Sequence, residues 1–432
     1  MREDARNNEN ILQGKNIMMK TRTIATFLFA SAVVAVPSSA YASGTGPIVI
    51  DDGVTLDPML NARLRYERVD QDNAGLDADA LTIRLRPGVK LAFDDGLSFL
   101  AEAEATLGLV NDYNSTTNGK GGLFSVVADP QNIELSRLQL NYETKNGDQI
   151  TIGRQQINID DQRFVGSVGW RQNDQTFDAV RAQATLFGAL NLDGTYAISQ
   201  RTIFGVDSGN RQSLDGTFFF AGAGVKTGPV AIKGFAYLLD YDAKEGMSLN
   251  SSQSYGVRAT ADIPLGSDFK LNINASYVTQ ADYGDNPLDY SADYIAASLG
   301  ATVMGFGLTG GYEELGAGNN PGIAFRTPLA TLHKFNGTAD LFLNTPAAGL
   351  RDYYVTVGKK LPTVKLLPGL NASVTYHKFE ADQGGANYGD EWDAQIGFKI
   401  QSIGVLVKYA NYNANSFGTD TEKLWLQFGY SF

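Results

Sequence analysis

Apolar and polar side chains alternate over long stretches of this chain once past Ser43. Phe269, Leu271, Ile273, Ala275 and Tyr277 alternate with Lys270, Asn272, Asn274 and Ser276. Trp392, Ala394, Ile396, Phe398 and Ile400 alternate with Asp393, Gln395, Gly397, Lys399 and Gln401, and Tyr255 to Ile263 repeats the pattern. Successive side chains of a strand point to opposite faces, so each segment predicts a strand with one apolar and one polar face. About ten residues is also the length a tilted strand needs to cross a bilayer.

Eighteen such segments follow, at 59–69, 79–92, 97–109, 132–144, 149–157, 176–187, 189–199, 215–227, 229–241, 254–263, 268–279, 291–303, 305–314, 351–361, 369–380, 389–401, 403–411 and 422–432. Links from even to odd segments are mostly tight, such as Asp94-Asp95-Gly96 and Asn146-Gly147, with 362–368 the exception. Links from odd to even are nearly all longer and polar, as in 110–131, 158–175, 200–214, 242–253 and 315–350. The pattern predicts an all-β fold: a transmembrane antiparallel β-barrel of about eighteen strands, with short periplasmic turns and long extracellular loops. Leu424, Leu426, Phe428, Tyr430 and Phe432 alternate to the last residue, so the final strand can close the barrel against the first. That ending also looks like the signal read by the barrel-assembly machinery. Two segments are unclean. In 229–241 the apolar residues settle on neither face, and in 149–157 Arg154 shares the face of Ile150 and Ile152, leaving its direction open.

The N-terminus sets the compartment. Lys20 and Arg22 precede an apolar run from Ile24 to Val36, then Pro37 and Ala40-Tyr41-Ala42. A positive segment, an apolar stretch too short to span a bilayer and an A-x-A site predict a signal peptide over 1–42, with a possible upstream extension and a mature start at Ser43. Residues 43–58 then form a lead-in, and 59–432 a single barrel. Residues 1–42 hold five basic and three acidic side chains, so the formal charge moves from −12 to −14 on removal. Such an acidic chain offers nucleic acid no general basic surface. With no Cys and only His333 and His377, a disulfide framework is excluded and a zinc site of Cys and His is not expected.

Residues 153–181, GRQQINIDDQRFVGSVGWRQNDQTFDAVR, and 328–355, PLATLHKFNGTADLFLNTPAAGLRDYYV, resemble the alginate-export family of bacterial outer-membrane porins. Together they span about an eighth of the chain. The resemblance implies an eighteen-strand monomeric barrel in the outer membrane of a Gram-negative bacterium. It also implies passage of an anionic polyuronate outward through an arginine-rich constriction. Its partners would be outer-membrane lipid and lipopolysaccharide and an anionic solute.

In such a barrel the polar half of each alternation lines the lumen. The first strand carries Arg63 and Arg65 out of phase with Leu60, Ala62, Leu64 and Tyr66, and the second carries Arg84 and Arg86 out of phase with Leu81, Ile83 and Leu85. The third carries Glu102 and Glu104, and Arg137 and Arg181 also fall inward. The arginines could bind carboxylates bidentately, or form a ladder of internal Arg–Glu pairs, and both roles can coexist. The turn at Asp94-Asp95-Gly96 must keep odd residues opposite odd ones, because a slip of one would turn every side chain over. Pairing Phe93 with Leu97 sets Arg86 against Glu104. Over strands of clear phase, thirteen inward basic residues face eleven acidic ones, a lumen of +2 inside an acidic chain. A slight anion preference is expected. Asp160, Asp161, Arg163, Trp170 and Arg171 fall on the long link between the fifth and sixth strands, and His333 and Lys334 on 315–350; both sets are candidates for the pore mouth.

No catalytic residue is expected. The chain has no G-x-S-x-G elbow, and neither histidine has a recognisable acid partner nearby in sequence, which weighs against a barrel lipase or protease. Many inward charged side chains weigh against a purely structural or adhesive barrel. No cofactor is expected, although the acidic loops 111–120, 282–289 and 382–390 have oxygen ligands that could hold Ca²⁺ or simply be solvated.

Overall fold

A computed structural model describes residues 46–432 apart from residue 267. The proposed signal peptide and the start at Ser43 lie outside the described residues. Eighteen antiparallel strands form one closed sheet: β2 (Val54–Gln71), β3 (Ala78–Phe93), β4 (Leu97–Asp112), β5 (Asn132–Glu143), β6 (Gln149–Gln155), β7 (Thr176–Leu186), β8 (Leu190–Arg201), β9 (Ser213–Thr227), β10 (Val230–Tyr241), β11 (Ser252–Pro264), β12 (Phe269–Asp282), β13 (Ser291–Val303), β14 (Phe306–Leu315), β15 (Leu350–Lys360), β16 (Asn371–Glu380), β17 (Asn387–Ile400), β18 (Ile403–Ala414) and β19 (Thr421–Ser431). A short lead-in strand, β1 (Ile48–Asp51), folds back on the start of β2, pairing Ile48 with Leu56. The barrel therefore begins at Val54, five residues before its alternation becomes clear.

β19 closes the ring on β2, with Thr421 opposite Gln71 and Ser431 opposite Asn61. Leu60 and Phe432 exchange both backbone hydrogen bonds, at 3.1 and 3.0 Å. Closure leaves no edge along the wall, and hydrocarbon offers no water to satisfy one. Leu85, Phe99, Leu138, Leu140, Ile152, Val180, Ile232, Ile273, Leu299 and Val355 all stand exposed, and they make the apolar outer belt. The short turns gather at one end and the long loops at the other, as the parity of the links predicts.

Arg154 settles on the outer face. It pairs in register with Leu138 and Asp178, and its guanidinium grips Asp178 by two hydrogen bonds of 2.8 Å. The 229–241 segment is unclean for a different reason. Phe235, Tyr237, Leu239 and Tyr241 of β10 point into the barrel, while Ile232 on the outer face is exposed. They join Phe218 and Phe220 of β9 in an apolar cluster with Ile157, Ile159, Val165, Phe325 and Leu329. These last five residues belong to loops. The lumen is therefore partly filled by chain, and the apolar inner face of β9 and β10 is where it docks.

Candidate pore constriction

Loop 156–175 contacts inward side chains from the whole circumference. Its Asp160 bonds Lys233 of β10 (2.9 Å), Asp161 bonds Arg258 of β11 (2.6 Å), Arg163 bonds Glu313 of β14 (2.7 Å), and Asp174 bonds Arg86 of β3. Only a segment inside the barrel can reach all four. Loop 316–349 lies against it, with Gly166 N–H donating to Leu329 O (2.9 Å) and Thr331 N–H to Gln162 O (3.0 Å). The second loop is anchored to β14 and β17. Ala339 N–H donates to Glu391 (2.7 Å), Thr338 N–H to Asp393 (3.2 Å), and Asn336 to Glu313 (2.6 Å).

The four arginines of β2 and β3 do stand side by side on the inner wall, and loop 156–175 covers them. Arg63 donates to the carbonyl oxygens of Gly169 (3.0 Å), Trp170 (2.9 Å) and Arg171 (3.1 Å). Arg65 donates to Trp170 O (2.6 Å) and Gln427, and its guanidinium lies 4.1 Å from the Trp170 ring. Arg86 pairs with Glu104 across β3 and β4, as the turn requires, and with Asp174. The flanking pairs, Leu85 with Ala105 and Gly88 with Glu102, keep the same register. Arg84 bonds Asn61. Arg137 takes Glu102 bidentately (2.9 and 2.7 Å), and on another part of the wall Arg181 takes Asp193 in the same way (3.0 and 2.6 Å). The Arg–Glu ladder thus exists, and Arg63 and Arg84 stand outside it.

His333 and Lys334 both sit at the junction of the loops. The His333 ring stacks on Trp170 at 4.1 Å, 7° from parallel, with Trp425 edge-on. Its Nδ1 meets Asp340 (2.7 Å), and its Nε2 meets the Lys408 ammonium (2.8 Å). An ammonium can only donate, so Nε2 is the acceptor, Nδ1–H donates to Asp340, and the ring is neutral. Burial pushes the imidazole well below its ordinary pKa; Lys408 and Arg171 push the same way, against Asp340. Burial would raise the Asp340 carboxyl, yet His333, Lys423 and Arg171 hold it well below the usual range. Arg171 itself bonds Asp340 (2.8 Å) and Glu67 (3.4 Å). Lys334 donates to Asp161 O (2.7 Å), and burial lowers its pKa.

The sequence did not reveal the carboxylates that receive this machinery. Asp129, Asp174 and Asp340 lie in loops without periodicity. Asp129, wholly buried, accepts Gln172 N–H (2.8 Å) and approaches Arg65 (3.7 Å). Glu313, Asp352, Glu391 and Asp393 are four of the eleven acidic residues that strand phase places inward, and they form an acidic wall around the second loop. His377 sits among them, 2.9 Å from Asp352 and 3.6 Å from Asp393. In the acidic outer loops, Asp282 accepts Tyr290 N–H and Asp382 accepts Ala317 N–H. Among the described residues no three such ligands converge in a metal-binding group.

A closed eighteen-strand barrel with an apolar belt and loops folded into its lumen defines an outer-membrane channel of the porin class. The chain belongs to the Alginate export family, whose profile matches residues 55–286, just over half its length. It resides in the outer membrane of a Gram-negative bacterium. Solved structures share the fold: Pseudomonas aeruginosa OpdO, with a TM-score of 0.67 and 17% identity over 87% of this chain and 97% of that one; the outer membrane protein opdK of the same organism, with 0.66 and 16% over 87% and 98%; and Acinetobacter baumannii OccAB3, with 0.67 and 14% over 87% and 99%. No curated protein matches the chain.

Proposed function

We propose that this channel carries anionic solutes, small or polymeric and uronate-like, by passive diffusion or export. The observation that supports this best is Arg63. It is only partly buried on the inner wall, and three carbonyl oxygens hold it, whereas Arg65 approaches Asp129 and Arg86 bonds Glu104 and Asp174. Carbonyls orient a guanidinium without neutralising it, so its charge stays available to a solute. Loop residues Asp129, Asp160, Asp161, Asp174 and Asp340 outnumber Arg163, Arg171 and Lys334, so they offset the +2 of the strands. Selectivity then rests on this local charge, because salt screens charges beyond about 10 Å. The test is the zero-current potential of single channels in a planar bilayer under a KCl gradient, with block by mono- and oligouronates. Anion preference in the wild type, reduced in Arg63→Ser, is expected. A cation-selective wild type, or a variant with unchanged potential, overturns the reading. The same reading has the chain inserted as a monomer through recognition of its Phe432-terminated strand.

A further inference from the structure

Arg63 and Arg84 are register partners on the inner face of β2 and β3, two like charges directly opposite each other. Such a pair is destabilising unless something answers it. The two carboxylates closest in register and loop, Glu104 and Asp174, both bond Arg86. Among the described residues no carboxylate comes within ion-pair distance of Arg63 or Arg84. Arg63 has its three carbonyls. Arg84 is 1% exposed and donates once, from Nη2 to Asn61, while its Nε and Nη1 find no protein acceptor. On its other side, its register partner Thr106 is also buried, and the Thr106 hydroxyl has no protein partner either. Buried charges are ordinarily paired, and buried donors ordinarily bonded.

We infer that Arg84 and Thr106 bind a small inorganic monovalent anion, of chloride size, as a resident counter-ion of the arginine wall. Arg84 Nε–H and Nη1–H and the Thr106 O–H are the donors. All three groups donate and the local charge excess is positive, which favours a halide over a water molecule. Burial under loop 156–175 favours a halide over a carboxylate or phosphate, which are larger and carry oxygens needing several further donors. The ion differs from a translocated solute because the groups that hold it are closed off. It adjoins the place where that loop docks, at the Arg86–Glu104–Asp174 junction, where Asp174 N–H donates to Glu104 (3.2 Å) and Gln172 O accepts from Arg86 (3.3 Å). The inference is independent of which solutes cross the channel.

Crystals of the full barrel grown in NaBr, with diffraction collected at the bromine edge, test it. An anomalous peak within hydrogen-bonding reach of Arg84 Nε and Thr106 Oγ1 is expected, and Arg84→Met should abolish it. Should that variant not assemble, Thr106→Val keeps the charge and should lower the peak's occupancy. The thermal transition of the detergent-solubilised wild type should also be higher in chloride than in gluconate at equal ionic strength. No peak, or an ordered water at the position, overturns the proposal. So does a peak without any chloride dependence of melting, which would mark an adventitious ion only.

Discussion

Arg86 shows how a single residue ties sheet to loop. Its side chain is almost fully buried between Glu104 of the neighbouring strand and Asp174 of the loop. Arg86→Met would leave two buried carboxylates facing each other. Breaking such a pair from one side costs about 3–5 kcal/mol. We expect the unfolding transition, followed by heat-modifiable gel migration, to fall to lower temperature, and an unshifted transition would show that the cluster is wetter than it looks. Gly153 is a second single-residue constraint. Its φ of +114° is one that side chains rarely adopt, and a Cβ there would stand 2.3 Å from Leu138 O. Gly153→Ala should reduce the yield of folded barrel, and recovery equal to wild type would contradict this. Of the Arg86 pair, the strand half was readable from the turn at Asp94-Asp95-Gly96. The Asp174 half was not, because it lies 88 positions away in a segment with no period, where contact depends on how the loop folds.

At the scale of elements, the strands form the frame and two of the loops fill its interior. Most of the eighteen strands were readable because alternation is a local property, and only 149–157 and 229–241 were unclean. The docking of loop 156–175 left one trace in the sequence, the two-faced 229–241 segment, which can be interpreted only once the loop's apolar residues are seen beside it. Docking of the second loop depends on a neutral His333. Free in solution an imidazole titrates near about 6.5, and in the docked loop its pKa is far lower. A group whose pKa is depressed on docking favours the docked form above its free value, and that contribution is lost as pH falls below it. Asp340, also depressed, acts in the same direction at lower pH. Acidification from about pH 7.5 to 5 should therefore loosen 316–349, read as faster proteolysis within that loop or as altered single-channel conductance. His333→Gln should flatten the response between those values. An equally steep response in the variant would assign it to other groups.

The whole molecule answers to two solvents. Outside, the belt faces lipid, and a charge placed mid-belt has no partner. Val355→Arg, on the outer face at the middle of β15, should cost about 2–4 kcal/mol of folding into lipid vesicles. A variant as stable as wild type would mean that this part of the belt does not face hydrocarbon. Arg154 marks the contrast, since it is tolerated outside because Asp178 neutralises it through two hydrogen bonds. Inside, polar and charged residues form networks that only the closed ring brings together. Glu313 and Arg163 meet across 150 positions. Strand phase put Glu313 on the inner face, but the meeting itself could not be read, because it depends on the barrel's circumference.

The seam between β19 and β2 has a consequence for how the ring is made. It joins residues 350 positions apart at Thr421 and Gln71, and 370 apart at Ser431 and Asn61. In a flexible chain, bringing such distant points together carries an entropic cost of about 5 kcal/mol, growing only as the logarithm of the separation. The other seventeen seams join neighbours and zip locally. The last one therefore comes last in time, and until then the growing sheet carries two unsatisfied margins that would adhere to any strand they met. The fold-back of β1 onto Val54 to Leu56 shields part of one margin. It occupies Val54 to Leu56, part of the stretch of β2 on the periplasmic side that the shorter final strand does not reach.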